Sequence, residues 1–167
     1  MSEFSADRPS MPNSYGVKGP EEGRGLLPWR HAETLLESAR NYWVITASAH
    51  GVPHAAPVWG LWYAQAFHFS TDPQSSKGRY LATSCPVVVH LESGDEVVIL
   101  EGNPDKVVHR AGLKKLEGPY FKKYRFHPSV GVTFRVRPFK VMAWSEADFP
   151  GGATRWTPRA GRRVGEP

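Results

Sequence analysis

Two hydroxyls and two cations stand within five residues of this chain: Ser75, Ser76, Lys77 and Arg79, in the run TDPQSSKGRYLATSCP from Thr71 to Pro86. Ahead of them, FHFST (67–71) alternates like a strand; behind them, Pro86 marks the exit of a helix expected over 75–84. The first turn of a helix leaves backbone N–H groups without internal partners, and the helix dipole is positive there. Anions are therefore favoured at that place before any side chain acts. Serine adds donors, lysine a point charge, and arginine a planar fork that matches a phosphate. The chemistry these residues offer is phosphate binding. The same residues also suit a plain helix start, with Ser75 as N-cap and two cations on a solvated face. Local chemistry leaves both readings open.

Other reactive side chains are sparse. His54, His68 and His90 fall in strand-like runs without the tight H-x-x-x-H spacing of a metal site, so no metal is expected. Structural or pocket-lining roles fit them, and His54 is the best placed to meet a substrate. No Ser-His-Asp triad or carboxylate pair is legible, which favours redox over hydrolytic chemistry. The single cysteine, Cys85, excludes an internal disulfide and reads as a small buried residue before Pro86. Lys114, Lys115, Lys122 and Lys123 read as a solvated helical face.

The elements that position these groups follow from periodicity. Ala32, Leu35, Leu36 and Ala39 have helical spacing, predicting an amphipathic helix over 29–41 after Pro28. Strands are expected at 42–49, 53–63 and 67–71, with tight turns at His50-Gly51 and Ala64-Gln65. A Val-rich hairpin spans 87–102 about Gly94-Asp95, and 106–109 continues its second strand past Asn103-Pro104-Asp105. A helix over 110–117 is expected to break at Gly118-Pro119, with a brief resumption at 120–124. A last strand pair, 130–136 and 139–145, bends at Arg137-Pro138. Many short strands with close turns predict a mainly β fold, a small antiparallel barrel capped by two or three helices.

The 167 residues fit one domain, and 40% hydrophobic residues suffice for a core. Residues 1–27, rich in Pro, Gly and Ser, read as a flexible N-terminal arm; 28–156 form the domain; 157–167 form a flexible basic tail. No run approaches a membrane span and no signal-peptide layout occurs, so a cytoplasmic protein is expected. Twenty-one Lys and Arg against 16 Asp and Glu give a net charge of +5, which favours anionic partners.

Taken in order, these pieces resemble the pyridoxamine 5'-phosphate oxidase-like split barrels, the flavin/deazaflavin oxidoreductases. SSKGRYLATSCP (75–86) is similar to the family's S-R-K-x-R-N-L-A-x-N-P after a strand ending in Ser or Thr. YWVITASAHGVPHAAPVWGLW (42–62) resembles its first hairpin, T-x-x-x-x-G-x-P-H-x-x-P-V-W, and VVILEGNPDKV (97–107) its V-V-x-x-E-G strand. MAWSEADFPGGATRW (142–156) resembles an ending common in actinobacterial members. Ser76 stands where many members carry Arg, and Tyr80 where Asn is usual.

The resemblance implies a split antiparallel β-barrel and a cofactor that is FMN or the deazaflavin F420. Lys77 and Arg79 would hold its phosphate, assisted by Ser75 and Ser76. Pro57, Val58 and Trp59 would line the ring, with Thr71 near its edge. A homodimer is implied, with Trp144, Arg155 and Trp156 closing the partner's pocket around a small-molecule substrate. The sequence does not separate F420 from FMN. The basic charge would suit the polyglutamate tail of F420, FMN would need only the phosphate site, and the actinobacterial likeness leans to F420. The alternative is a non-catalytic cofactor- or haem-binding barrel with His54, His68 or His90 as ligand. A nucleic-acid-binding barrel, suggested by charge and by Phe67 and Phe69, is disfavoured because the basic residues cluster late in the chain.

Overall fold

Alternation builds the strands as expected. In β2 (Tyr42–Ala47), Tyr42, Val44 and Thr46 are buried while Trp43, Ile45 and Ala47 are half-buried, the pattern of a strand with one face on a core. The computed structural model describes residues 3–16, 25–83, 85–127 and 131–159. Helix α1 (Trp29–Ser38) precedes β2; β3 (Pro53–Val58), β4 (Gly60–Tyr63), β5 (Ala66–Thr71), α2 (Ser76–Leu81), β6 (Val87–His90) and β7 (Glu96–Lys106) follow. Helix α3 (Arg110–Tyr124), β8 (Val132–Ser145) and β9 (Thr154–Pro158) complete the order, with β1 (Phe4–Asp7) at the other end of the chain.

The strands form one antiparallel sheet in the order β1-β9-β8-β7-β6-β2-β3, with β4 on β5 and β5 on β8. The sheet is split at β8. Its first half pairs with β5 (Phe69 opposite Phe134) and its second with β9 (Val141 opposite Trp156), while β7 runs along its whole other edge. The sheet curls around Tyr42, Val44, Phe67, Phe69, Leu100, Phe134, Val136 and Trp156, and α1 closes one end with Ala32 and Leu36. Phe67 and Phe69 are fully inside, so they offer no stacking platform to nucleic acid bases.

Several expectations are corrected. The arm read over 1–27 holds β1, whose Phe4 is 2% exposed in the core and whose strand pairs with β9; residues 17–24 lie outside the described residues. Thr157 and Pro158 belong to β9, not to a tail, and 160–167 lie outside the described residues. The expected strand over 53–63 breaks at Trp59. Helix α3 passes through Gly118 and contains Pro119. Cys85 is exposed.

β8 is continuous through Pro138 for a physical reason. Proline has no N–H to give a ladder. Pro138 sits between the stretch that pairs with β5 (132–136) and the stretch that pairs with β9 (141–143), and opposite a register shift at Glu101/Gly102. The missing donor falls where no second neighbour asks for one.

Candidate functional site

β5 ends at Thr71 and hands over to α2 through a closely bonded turn. Asp72 Oδ1 accepts from the Gln74 N–H at 2.7 Å, and the Ser75 N–H reaches the Asp72 carbonyl at 3.1 Å. Ser75 is the N-cap: its Oγ accepts from the Gly78 N–H at 3.0 Å and donates to the Asp72 carbonyl at 2.7 Å. Thr71 Oγ1 lies 3.2 Å from the same Oγ. The Ser75 hydroxyl proton is thus committed inside the chain. Anion binding rests on its neighbours.

Those neighbours are Ser76, Lys77 and Arg79. Arg79 is exposed, and its guanidinium donates to the Gln74 carbonyl and, at 3.2 Å, to Ser76 Oγ. Lys77 is half-buried and makes no ion pair among the described residues; burial lowers its pKa from the ordinary lysine value. A desolvated ammonium without a carboxylate gains from any anion that reaches it. These three residues share the first turn of α2 after Thr71, a cationic cradle in which Arg79 and Ser76 touch.

Gly78 is what lets α2 sit there. A Cβ at that position would lie 2.2 Å from the Asp72 carbonyl oxygen and 2.8 Å from Pro73 Cα, both backbone atoms that cannot swing aside. Gly78→Ala is expected to push α2 off the turn and to lower stability by about 2 kcal/mol, roughly 4–8 °C in Tm for a chain of this size. An unchanged melting curve would contradict this packing.

β3 passes the cradle, but its residues divide between two faces. Thr46 pairs with His54, Val44 with Ala56 and Tyr42 with Val58, so His54 and Val58 point with the core face of β2. The His54 ring meets Tyr80 of α2 edge-on at 6.3 Å. His54 and the cradle are therefore brought together through Tyr80. Pro57 points the other way, paired with Trp43. The expected wall of Pro57, Val58 and Trp59 is not one surface.

Trp59 anchors a separate cluster, about 16 Å along β3 from His54. Its ring stacks on Tyr124 at 4.8 Å and 11°, and the Arg40 guanidinium lies 5.3 Å from its centroid. Tyr124 Oη accepts from the Gly60 N–H at 2.9 Å. Lys123 Nζ donates to Tyr42 Oη at 2.6 Å and to the Gly60 carbonyl at 3.1 Å. The reading of Lys123 as solvated is corrected, and Arg40, Lys123 and Tyr124 were not legible as site neighbours. The one signal was the Tyr120-to-Tyr124 spacing, whose rings meet at 4.7 Å.

Burial lowers the Lys123 ammonium to about 8. Between about pH 8 and its ordinary value of 10.5, the unfolded chain holds a proton that the folded chain has released. Stability from this group therefore rises with pH across that window. Relative to Lys123→Met, the native chain is expected to gain in urea midpoint from pH 8 to pH 10.5. A constant difference between the two would remove the depressed titration.

The three residues expected to close a partner's pocket separate as well. Trp156 is 1% exposed and meets Trp29 edge-on at 5.6 Å, so it is core and not pocket. Arg155 is half-buried and paired with Asp7 of β1 at 2.8 Å. Trp144 is half-buried beside Phe149 at 5.9 Å. Register places Pro57, Trp43, His90, Ile99, Met142 and Arg155 in one row across β3-β2-β6-β7-β8-β9, on the face away from the core. Pro57 and Arg155 stand at its two ends, about 24 Å apart along the sheet.

The three strand histidines lie on three surfaces. His54 is beside Tyr80, His90 stacks on Trp43 in the outer row at 6.5 Å, and His68 is buried under α3. Among the described residues no group of three His, Cys, Asp or Glu could hold a metal ion. No helix is long and apolar enough to cross a membrane among those residues.

No family model matches the chain, and no curated protein does. Solved structures do. An F420 reductase is 21% identical with a TM-score of 0.52, covering 65% of this chain and 94% of its own. A conserved hypothetical protein of Mycobacterium tuberculosis is 18% identical with a TM-score of 0.62, covering 73% of this chain and 88% of its own. A Clostridium acetobutylicum protein related to general stress protein 26, of the pyridoxinephosphate oxidase family, is 15% identical with a TM-score of 0.55, covering 72% and 92%. The fold expected from the sequence is the fold found: a mainly antiparallel split β-barrel, shared with these structures.

Proposed function

We propose that the chain is a flavin- or deazaflavin-dependent oxidoreductase acting on a small organic substrate, and that it works as a homodimer. The observation that carries this reading is the cradle, where half-buried Lys77 has no ion-pair partner among the described residues and shares one turn of α2 with Ser76 and Arg79. In this reading Lys77 and Arg79 hold the cofactor phosphate, and Ser76 adds a hydroxyl. Ser75 and Thr71 hold the cradle in shape. β3 lies along the ring, with His54 on the side that meets substrate. When bound, the flavin or deazaflavin ring carries the hydride. The chain's part is to orient ring and substrate and to keep water out.

The homodimer is supported by the outer row. Its members Trp43, Ile99 and Met142 are apolar and half-buried, and Pro57 is exposed at one end. Pro57 and Arg155 stand five strand spacings apart along the sheet, about 24 Å. A second copy related by a two-fold axis would bring one chain's Arg155 and Trp144 toward the other's Pro57. Between cofactors, F420 is the preferred reading, since the exposed late cations Lys114, Lys115, Lys122 and Arg125 suit a polyanionic tail.

A fluorescence titration of the full chain with FMN, riboflavin, F420 and haem tests the reading. Saturable binding of FMN or F420, with riboflavin much weaker than FMN, is the expected result. A response to haem alone would transfer the site to a histidine and end the oxidoreductase reading. Sedimentation at micromolar protein should give twice the 18.6 kDa chain mass, and a monomer would remove the second copy.

A further inference from the structure

Consecutive residues of a strand face opposite sides of the sheet. In β5, Thr71 turns its hydroxyl to Ser75 and the cradle, while Ser70 turns the other way and meets Thr133 of β8 at 2.9 Å. On Ser70's side, α3 crosses the outer surface of β4, β5 and β8 without filling the space beneath it. A cavity of about 270 Å³ remains there. Leu61 and His68 of the sheet and Leu113, Leu116 and Tyr120 of the helix are among the residues that line it.

The cavity differs in charge from the rest of the molecule. The chain carries +5 and the cradle is cationic, yet no lysine or arginine lines this space among the described residues. Its carboxylate is that of Glu117, exposed at the helix surface. His68 is 7% exposed, and burial lowers its imidazole to about 4, so it is uncharged near neutrality. Its Nδ1 lies 3.2 Å from the Ala66 carbonyl, which fixes the ring by taking an N–H from it. The Ser70–Thr133 pair uses one hydroxyl proton internally and leaves the second, with lone pairs, for another molecule.

A phosphorylated ligand finds no lysine or arginine in this wall; the exposed His127, stacked on Phe121 at 4.5 Å, stands there beside the exposed Glu117 carboxylate. A neutral ring finds leucine and tyrosine side chains around it and a hydroxyl pair for one polar group. The volume is below the range of about 300–1,000 Å³ typical of drug-sized ligands. We propose that this cavity is a second binding site, back to back with the cradle across β5, for a compact uncharged compound of one or two fused rings bearing one hydrogen-bonding group. The proposal stands without the redox reading, because nothing in it uses a flavin.

The probes are 2-naphthol and 2-naphthoate, which share a ring system and differ in charge at pH 7. Added to the full chain, 2-naphthol is expected to bind with a Kd on the order of 100 µM, as its size allows. It should shift the imidazole ring resonance that is missing from His68→Gln. 2-Naphthoate is expected to bind at least about tenfold more weakly, because its anion would be desolvated without a partner. Saturating FMN should leave the 2-naphthol Kd unchanged. Leu113→Trp, at a half-exposed position, should fill the space and abolish the shift. Equal binding of the two probes, no movement of the His68 resonance, or displacement of 2-naphthol by FMN would each overturn the site. The resonance and competition experiments use the native chain and keep the test open even if the tryptophan variant does not fold.

Discussion

Lys77→Ala combined with Arg79→Ala is expected to weaken FMN binding on the order of 100-fold while leaving riboflavin binding within about twofold. A charge-assisted hydrogen bond contributes roughly 1.5–3 kcal/mol, and about 1.4 kcal/mol is a factor of ten. The two residues should not share the loss equally. Lys77 is half-buried and makes no ion pair among the described residues, whereas exposed Arg79 spends part of its guanidinium on the Gln74 carbonyl and Ser76. The Lys77→Ala single variant should therefore carry most of the effect. Added salt should reduce the Arg79 share first, since exposed charges are screened more. Equal losses for FMN and riboflavin would show that the variants damage the pocket in general, and the phosphate assignment would fall.

Trp156→Ala is expected to cost about 3–5 kcal/mol, the usual range for deleting a fully buried tryptophan. Against a total stability of about 5–15 kcal/mol, that places the variant near unfolding at room temperature. Trp156 is 1% exposed, sits opposite Val141, and packs in the cluster with Phe4 and Trp29. Trp156→Phe retains a ring and should recover most of the loss. A urea curve on each variant decides the matter. A Trp156→Ala chain of native stability that had lost FMN would restore the residue to the pocket.

The sequence was legible where structure is local. Ser75 is an N-cap because its hydroxyl can reach the Gly78 N–H, and three-residue spacing is enough to see that. The Ala64-Gln65 turn and the alternation of β2 are equally local. What escaped was set by distant partners. β1 is a short strand in a Pro- and Ser-rich stretch and exists through β9, far along the chain. Pro138 reads as a bend until the gap between β5 and β9 on the edge of β8 is known. Pro119 reads as a break, yet α3 continues to Tyr124, whose hydroxyl and ring hold it against Gly60 and Trp59. Trp156 was expected in the pocket through the resemblance of 142–156 to a family ending. Its neighbours Arg155 and Thr157 are less buried, and only its pairing with β8 shows that it faces inward.

The pairing of β1 with β9 also sets an order of events at the ribosome. β1 is translated roughly 150 residues before its partner strand, a delay on the order of ten seconds at about 5–20 residues per second. Throughout that interval Phe4 has no permanent seat, because Trp156, in the strand that gives β1 its place, has yet to be made. The sheet from β2 to β8 can assemble before β9 is made; the β1–β9 edge cannot. Docking of that edge waits for β9, and until it occurs the nascent chain shows an apolar segment to chaperones.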